Sequence, residues 1–145
     1  MKKWHRETYK KTDLVTISPT VSRIFRDASY PQPVPLVSSA QYMVEELLNL
    51  IMIPSASASC IAIAEHISGS EQAFVARMNQ TAKSLGLNAR YTNCHGARIN
   101  YISARSMAVL VRLFIQQYPD ILKISLENMQ SLYFWSIPET MNRFV

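Results

Sequence analysis

Residues 48–79, "LNLIMIPSASASCIAIAEHISGSEQAFVARMN", decide the fold. An apolar run stops at Pro54, where a missing N–H and a ring clash close a helix. Ser55, Ser57 and Ser59 then alternate with Ala56 and Ala58. A second helix is expected from about Ser57 to His66, with Ala58, Ala62 and Ala64 along it, small enough for another backbone to approach closely. Ser68-Gly69-Ser70-Glu71 reads as an S-x-x-E capping box opening a third helix through about Leu85. Phe74, Val75, Met78 and Ala82 form its expected buried stripe, and Gly86 its stop. A proline–serine junction between helices serves either close packing or the display of a hydroxyl to a substrate.

Upstream, "AQYMVEELLNLIMI" (40–53) carries Met43, Val44, Leu47, Leu48, Ile51 and Met52 on one broad face, which predicts a helix capped by Ser38 or Ser39. Before it, 30–38 holds three prolines and reads as an extended loop. "DLVTIS" (13–18) alternates β-branched residues and reads as a short strand. Downstream, 89–102 looks irregular. Ser103 is placed to cap a helix over "ARSMAVLVRLFIQQY", with Met107, Leu110, Val111 and Phe114 expected inward. Pro119-Asp120 opens a short helical piece to about Ser125. "SLYFWSIP" (131–138) reads as a strand. The expectation is one partial domain over 1–145, mainly α with short strands, its sheet largely missing. Two strand segments alone make a marginal ribbon.

The 145 residues suffice for one core. Only 3 glycines argue against a glycine-rich phosphate cradle. The net charge of +5 sits mostly in a basic N-terminal arm, residues 1–12, where Lys2, Lys3, Arg6, Lys10 and Lys11 outnumber Glu7 and Trp4 and Tyr9 interleave. Basic residues are not spread along a helix or groove, so nucleic acid is not an expected partner. Cys60, Cys94 and the histidines show no zinc spacing, so no metal is expected. The start "MKKWHRETYKK" lacks the apolar run of a signal peptide, and no apolar stretch is long enough for a transmembrane segment. As written, the chain is expected in the cytoplasm.

Several ordered motifs lie between about Leu14 and Leu126: Pro54-Ser55-Ala56-Ser57, Ala64-Glu65 through Gly69-Ser70, Phe74 with Met78-Asn79, Leu85-Gly86, Asn93 through Gly96, Ser103-Ala104-Arg105 and Tyr118-Pro119. In this order they resemble the low-molecular-weight D-alanyl-D-alanine carboxypeptidases, the serine penicillin-binding proteins of the β-lactamase and transpeptidase superfamily. The resemblance implies the helical region of a DD-peptidase domain. It also implies extracytoplasmic, membrane-associated work on peptidoglycan stem peptides, without a cofactor. In that family an S-x-x-K serine attacks the D-Ala-D-Ala bond while the lysine takes its proton, an S-x-N motif holds the substrate, and a K-T-G strand binds the terminal carboxylate.

The departures bear on activity. No S-x-x-K and no K-T-G occurs in the 145 residues; Thr8-Tyr9-Lys10-Lys11 comes nearest to the first. Ser55 keeps the serine of S-x-N, but Ser57 stands in place of its asparagine. A hydroxyl offers one donor where an amide offers two donors and a separate acceptor. Ala58 and Ser106 replace family aspartates, and Ile102 replaces a serine. So no catalytic set is complete, and Ser55 and Ser57 are the candidate substrate-binding residues. Without a nucleophile to serve, they read first as a helix stop and the next helix's cap. His95 is expected to make a structural hydrogen bond, and His66 to meet its helix's dipole. A peptidoglycan peptide or a β-lactam is an expected ligand only if another chain completes the site. The alternative is a non-catalytic module that docks on an intact carboxypeptidase or self-associates.

Overall fold

The computed structural model describes residues 9–24, 34–120 and 122–124. The expected strand at 131–138, the start of the basic arm and the first part of the proline-rich loop lie outside these residues. Along the described chain run β1 (Leu14–Thr16), α1 (Pro19–Arg23), β2 (Gln41–Met43), α2 (Val44–Met52), α3 (Ser57–Ser68), α4 (Glu71–Ser84), β3 (Ala89–Arg90), β4 (Tyr101–Ile102) and α5 (Ala104–Gln117). The architecture is mainly helical, with two separate antiparallel ladders, β1–β2 and β3–β4.

Helix α3 is the hub. It packs against α1, β1, α2 and α4, and Ser57, Ala58, Ser59, Ile61, Ala62 and Ala64 along it are buried. A helix covered on several sides needs small residues where backbones close in, and the alanines supply them. The core gathers Val15 of β1, Ile17 just after it, Val21 of α1, Leu36, Leu47 of α2, and Ala58, Ile61 and Ala62 of α3.

Glycine sets two helix ends, the one at Gly86 as expected. Gly69 caps α3 at φ 77°, its N–H donating to the Glu65 carbonyl at 2.7 Å. Gly86 turns the chain after α4 at φ 67°. Left-handed backbone costs little only without a Cβ.

Four expectations are corrected. Helix α2 begins at Val44, not Ala40, because Gln41–Met43 are drawn into pairing with Thr16–Leu14. Its cap is not Ser38 or Ser39; the Met43 N–H donates to Glu46 Oε2 at 2.7 Å. The S-x-x-E box does not form on Ser68, which still belongs to α3. Ser70 caps α4 instead, its Oγ accepting from the Ala73 N–H at 3.2 Å. Ala56, not Ser57, is the N-cap of α3. The fourth correction concerns α5. Ser103 caps it and Leu110 faces the body as expected, but Met107, Val111 and Phe114 are exposed, and Ser106 and Leu113 face the body instead. The irregular stretch 89–102 also contains the two-residue β3–β4 ladder.

Ser59 is fully buried and its Oγ has no hydrogen-bond partner among the described residues. An unpaired buried hydroxyl costs about 1–3 kcal/mol. Ser59→Ala is therefore expected to raise the unfolding free energy by about 1 kcal/mol, read by urea denaturation. A loss of stability would mean that the hydroxyl has a partner after all.

Candidate functional site

At the α2–α3 junction the Ile53 N–H makes the last helical bond, to the Asn49 carbonyl at 3.0 Å. Pro54 has no N–H to continue it. Ser55 then takes φ 59°, a left-handed conformation unusual for a residue with a Cβ. The Ala56 N–H reaches back to the Leu50 carbonyl at 2.9 Å and closes the turn. Ser55 is thus held exposed on a strained backbone. Ser57, the first residue of α3, is 3% exposed. The structure brings the two candidate serines into one turn but puts one outside and one inside.

A second cluster joins the start of α4 to the loop after it. Oε1 of Glu71 accepts from the Cys94 N–H at 3.2 Å and from its Sγ at 3.5 Å. His95 Nε2 lies 3.5 Å from the same oxygen. The Ala97 N–H donates to His95 Nδ1 at 3.1 Å, so the neutral ring carries its proton on Nε2, toward Glu71. Asn93 organises the rest of the loop. Its Oδ1 accepts from the Gly96 N–H at 2.7 Å and the His95 N–H at 3.3 Å, and its Nδ2 donates to Asn100 Oδ1 at 3.2 Å. The expected structural hydrogen bond at His95 is thus present.

Beside this cluster lies an open cleft of about 290 Å³, lined by Glu71, Gln72, Asn93, His95 and Arg98 among others. Neither cysteine is an activated nucleophile. Burial pushes Cys60 up to about 11, and burial together with the Glu71 charge pushes Cys94 higher still. Thiolate, not thiol, is the reactive form. Both cysteines are free. Among the described residues no group of three or more His, Cys, Asp or Glu side chains is placed to hold a metal ion.

Burial lowers the His95 pKa below 6.5, with Glu71 opposing and Arg98 adding to the shift. The unfolded chain therefore takes up a proton at this position more readily than the folded one. Its contribution to stability is full above about pH 6.5 and is lost as pH falls through the lowered folded value. The melting temperature is expected to fall between pH 7.5 and 5.5, and less steeply in His95→Gln. Parallel profiles for the two proteins would contradict a neutral, buried His95.

Ser106 shows how one departure from the family pattern is absorbed. Its Oγ accepts from the Asn88 N–H at 2.9 Å and from the Ser103 hydroxyl at 2.9 Å. That ties the start of α5 to the turn after α4, a job an acceptor carboxylate also suits. The role of Glu71 was not legible as a loop anchor. Its partners lie 23 residues on, and no local signal spans that separation.

Among the described residues no helix is long and apolar enough to cross a membrane. The family model for D-alanyl-D-alanine carboxypeptidase matches residues 2–143. D-alanyl-D-alanine carboxypeptidase DacA of Escherichia coli strain K12 is 34% identical over 119 residues, which cover 77% of this chain and 29% of that protein. This chain therefore spans less than a third of the length of that relative. The crystal structure of penicillin binding protein 5 from Haemophilus influenzae superposes with a TM-score of 0.71 at 32% identity, over 80% of this chain and 34% of the other. A penicillin-binding protein 3 from Streptococcus pneumoniae, titled a peptidoglycan synthesis regulatory factor, reaches 0.74 at 28% identity, over 81% of this chain and 36% of the other. On a match that runs through nearly all of its residues, this chain belongs to the D-alanyl-D-alanine carboxypeptidase family.

Proposed function

We propose that this chain is the middle-motif portion of a D-alanyl-D-alanine carboxypeptidase site and does not acylate or hydrolyse by itself. The carrying observation is Ser55: the family's motif serine, exposed, and fixed at φ 59° by the junction around it. Left-handed backbone at a non-glycine residue costs about 1–3 kcal/mol and persists only where the surroundings enforce it, commonly at functional sites. Its hydroxyl offers one donor and an acceptor to a peptide ending in D-Ala-D-Ala or to a β-lactam. Ser57 in place of asparagine leaves that contact with fewer donors. The nucleophile, its proton acceptor and the carboxylate site need S-x-x-K and K-T-G, and the 145 residues contain neither.

The test is release of D-alanine from a peptide ending in D-Ala-D-Ala. The chain alone is expected to release none. Co-expressed with a polypeptide carrying S-x-x-K and K-T-G, it is expected to support release, and Ser55→Ala to lower that rate about a hundredfold. Release by the chain alone overturns the reading.

A second reading, a binding module without catalysis, draws on the intact caps at Ser70 and Ser103 and the complete Asn93 network. Its signature is association with an intact carboxypeptidase that Ser55→Ala leaves unchanged.

A further inference from the structure

The Glu71 cluster holds a pair of groups that the Ser55 site does not use. Cys60 and Cys94 are the chain's 2 cysteines. Cys60 is in the first turn of α3, its N–H bonded to the Ala56 carbonyl at 3.4 Å. Cys94 lies in the loop between β3 and β4 and packs against the core cluster to which Ala58, Ile61 and Ala62 of α3 belong. Its Sγ is 3.5 Å from Glu71 Oε1. The Glu71 charge acts on both thiols, and Cys60 in turn acts on Cys94, so two sulfurs and one carboxylate form a single group. Both cysteines are half-buried and free.

Three features favour a bond between them. Helix α3 holds one backbone and the Asn93 network holds the other, so closing the bond orders little further chain. No third thiol competes, so every pairing within the chain is this one. Nothing stabilises either thiolate, since burial and the Glu71 carboxylate both oppose its charge. A dithiol with a stabilised thiolate favours its reduced form and gives an easily reduced disulfide. That bias is missing here, which favours a durable bond of the structural kind.

We propose that Cys60 and Cys94 are a modification site, a disulfide that joins the first turn of α3 to the loop carrying His95 and forms by exchange with a low-molecular-weight disulfide such as glutathione disulfide. Cys60, the more readily ionised thiol, loses its proton and attacks one sulfur of glutathione disulfide. A Cys60–glutathione bond forms, the glutathione S–S bond breaks, and one glutathione thiolate leaves. Cys94 then loses its proton and attacks the Cys60 sulfur, and the second glutathione thiolate leaves. Both departing thiolates take up a proton, so the chain loses two hydrogens and glutathione disulfide becomes two glutathiones. The bond takes the Cys94 S–H from Glu71 Oε1 and leaves that oxygen its Cys94 N–H and its His95 contact.

The test exposes the reduced, folded full chain to glutathione disulfide at mildly alkaline pH and weighs it intact. A monomer lighter by two hydrogens is expected. Digestion should recover the Cys60 and Cys94 peptides as one linked species that dithiothreitol separates. Cys94→Ser is expected to stop at a chain carrying one glutathione. The oxidised parent should melt about 5 °C above the reduced parent, because the bond closes a long loop of the unfolded chain. Three results overturn the proposal: a parent that takes one glutathione on each cysteine, a parent that stays unmodified after overnight exposure, or a bond that forms only between chains. An oxidised monomer that melts below the reduced one overturns it too, because the bond would then form only by breaking the fold. The parent alone decides these outcomes, so a Cys94→Ser chain that failed to fold would not shelter the proposal.

Discussion

Leu47→Ala is expected to lower the unfolding free energy by about 3 kcal/mol, within the range for a leucine deleted from a tight core. Leu47 is 0% exposed and belongs to the cluster that joins β1, α1, α2 and α3. Its neighbours include the alanines of α3, which have no longer side chains to swing into the space. The cavity should therefore stay open rather than collapse, and cavity cost adds to lost burial. At this chain length the change amounts to roughly 10 °C in melting temperature. Urea unfolding at fixed pH reads it directly. A loss under about 1 kcal/mol would place the centre of the core elsewhere.

The second large effect is at Asn93, which is 2% exposed. Asn93→Ala removes the acceptor for the Gly96 and His95 N–H groups and the donor to Asn100 in one step. Buried donors left without partners cost about 1–3 kcal/mol, so the variant should lose about 2 kcal/mol. Hydrogen exchange at the Gly96 amide should accelerate in step. Asn93→Asp keeps the acceptor but sets a carboxylate oxygen against Asn100 Oδ1, so it should fall between the two. An alanine variant as stable as its parent would show the loop to be held by Glu71 alone.

Features fixed by one residue's own backbone were legible in the sequence. Pro54 ends α2, Gly86 turns the chain after α4, and Ser103 caps α5, each for a reason contained in a few residues. The small-residue helix after Pro54 announced close packing, and α3 is the hub. Features set by distant partners were not legible. Val44 rather than Ala40 begins α2 because β1, more than twenty residues earlier, captures Gln41–Met43. Period alone finds the apolar positions of α5, but not which side is covered: of the four expected inward only Leu110 is, beside Ser106 and Leu113, while Met107, Val111 and Phe114 are exposed. At the candidate site the motif position of Ser55 was readable, whereas its left-handed backbone, the burial of Ser57 and the reach of Glu71 to Cys94 depend on tertiary structure.

The central claim is that this member of the carboxypeptidase family holds its middle motif without a nucleophile among its 145 residues. Incubating the purified chain with a fluorescent penicillin and weighing it intact tests that most directly. The unmodified mass and no fluorescence on the protein are expected. A stoichiometric adduct lost in Ser55→Ala would contradict it, because a serine of this chain would then be activated without an S-x-x-K lysine.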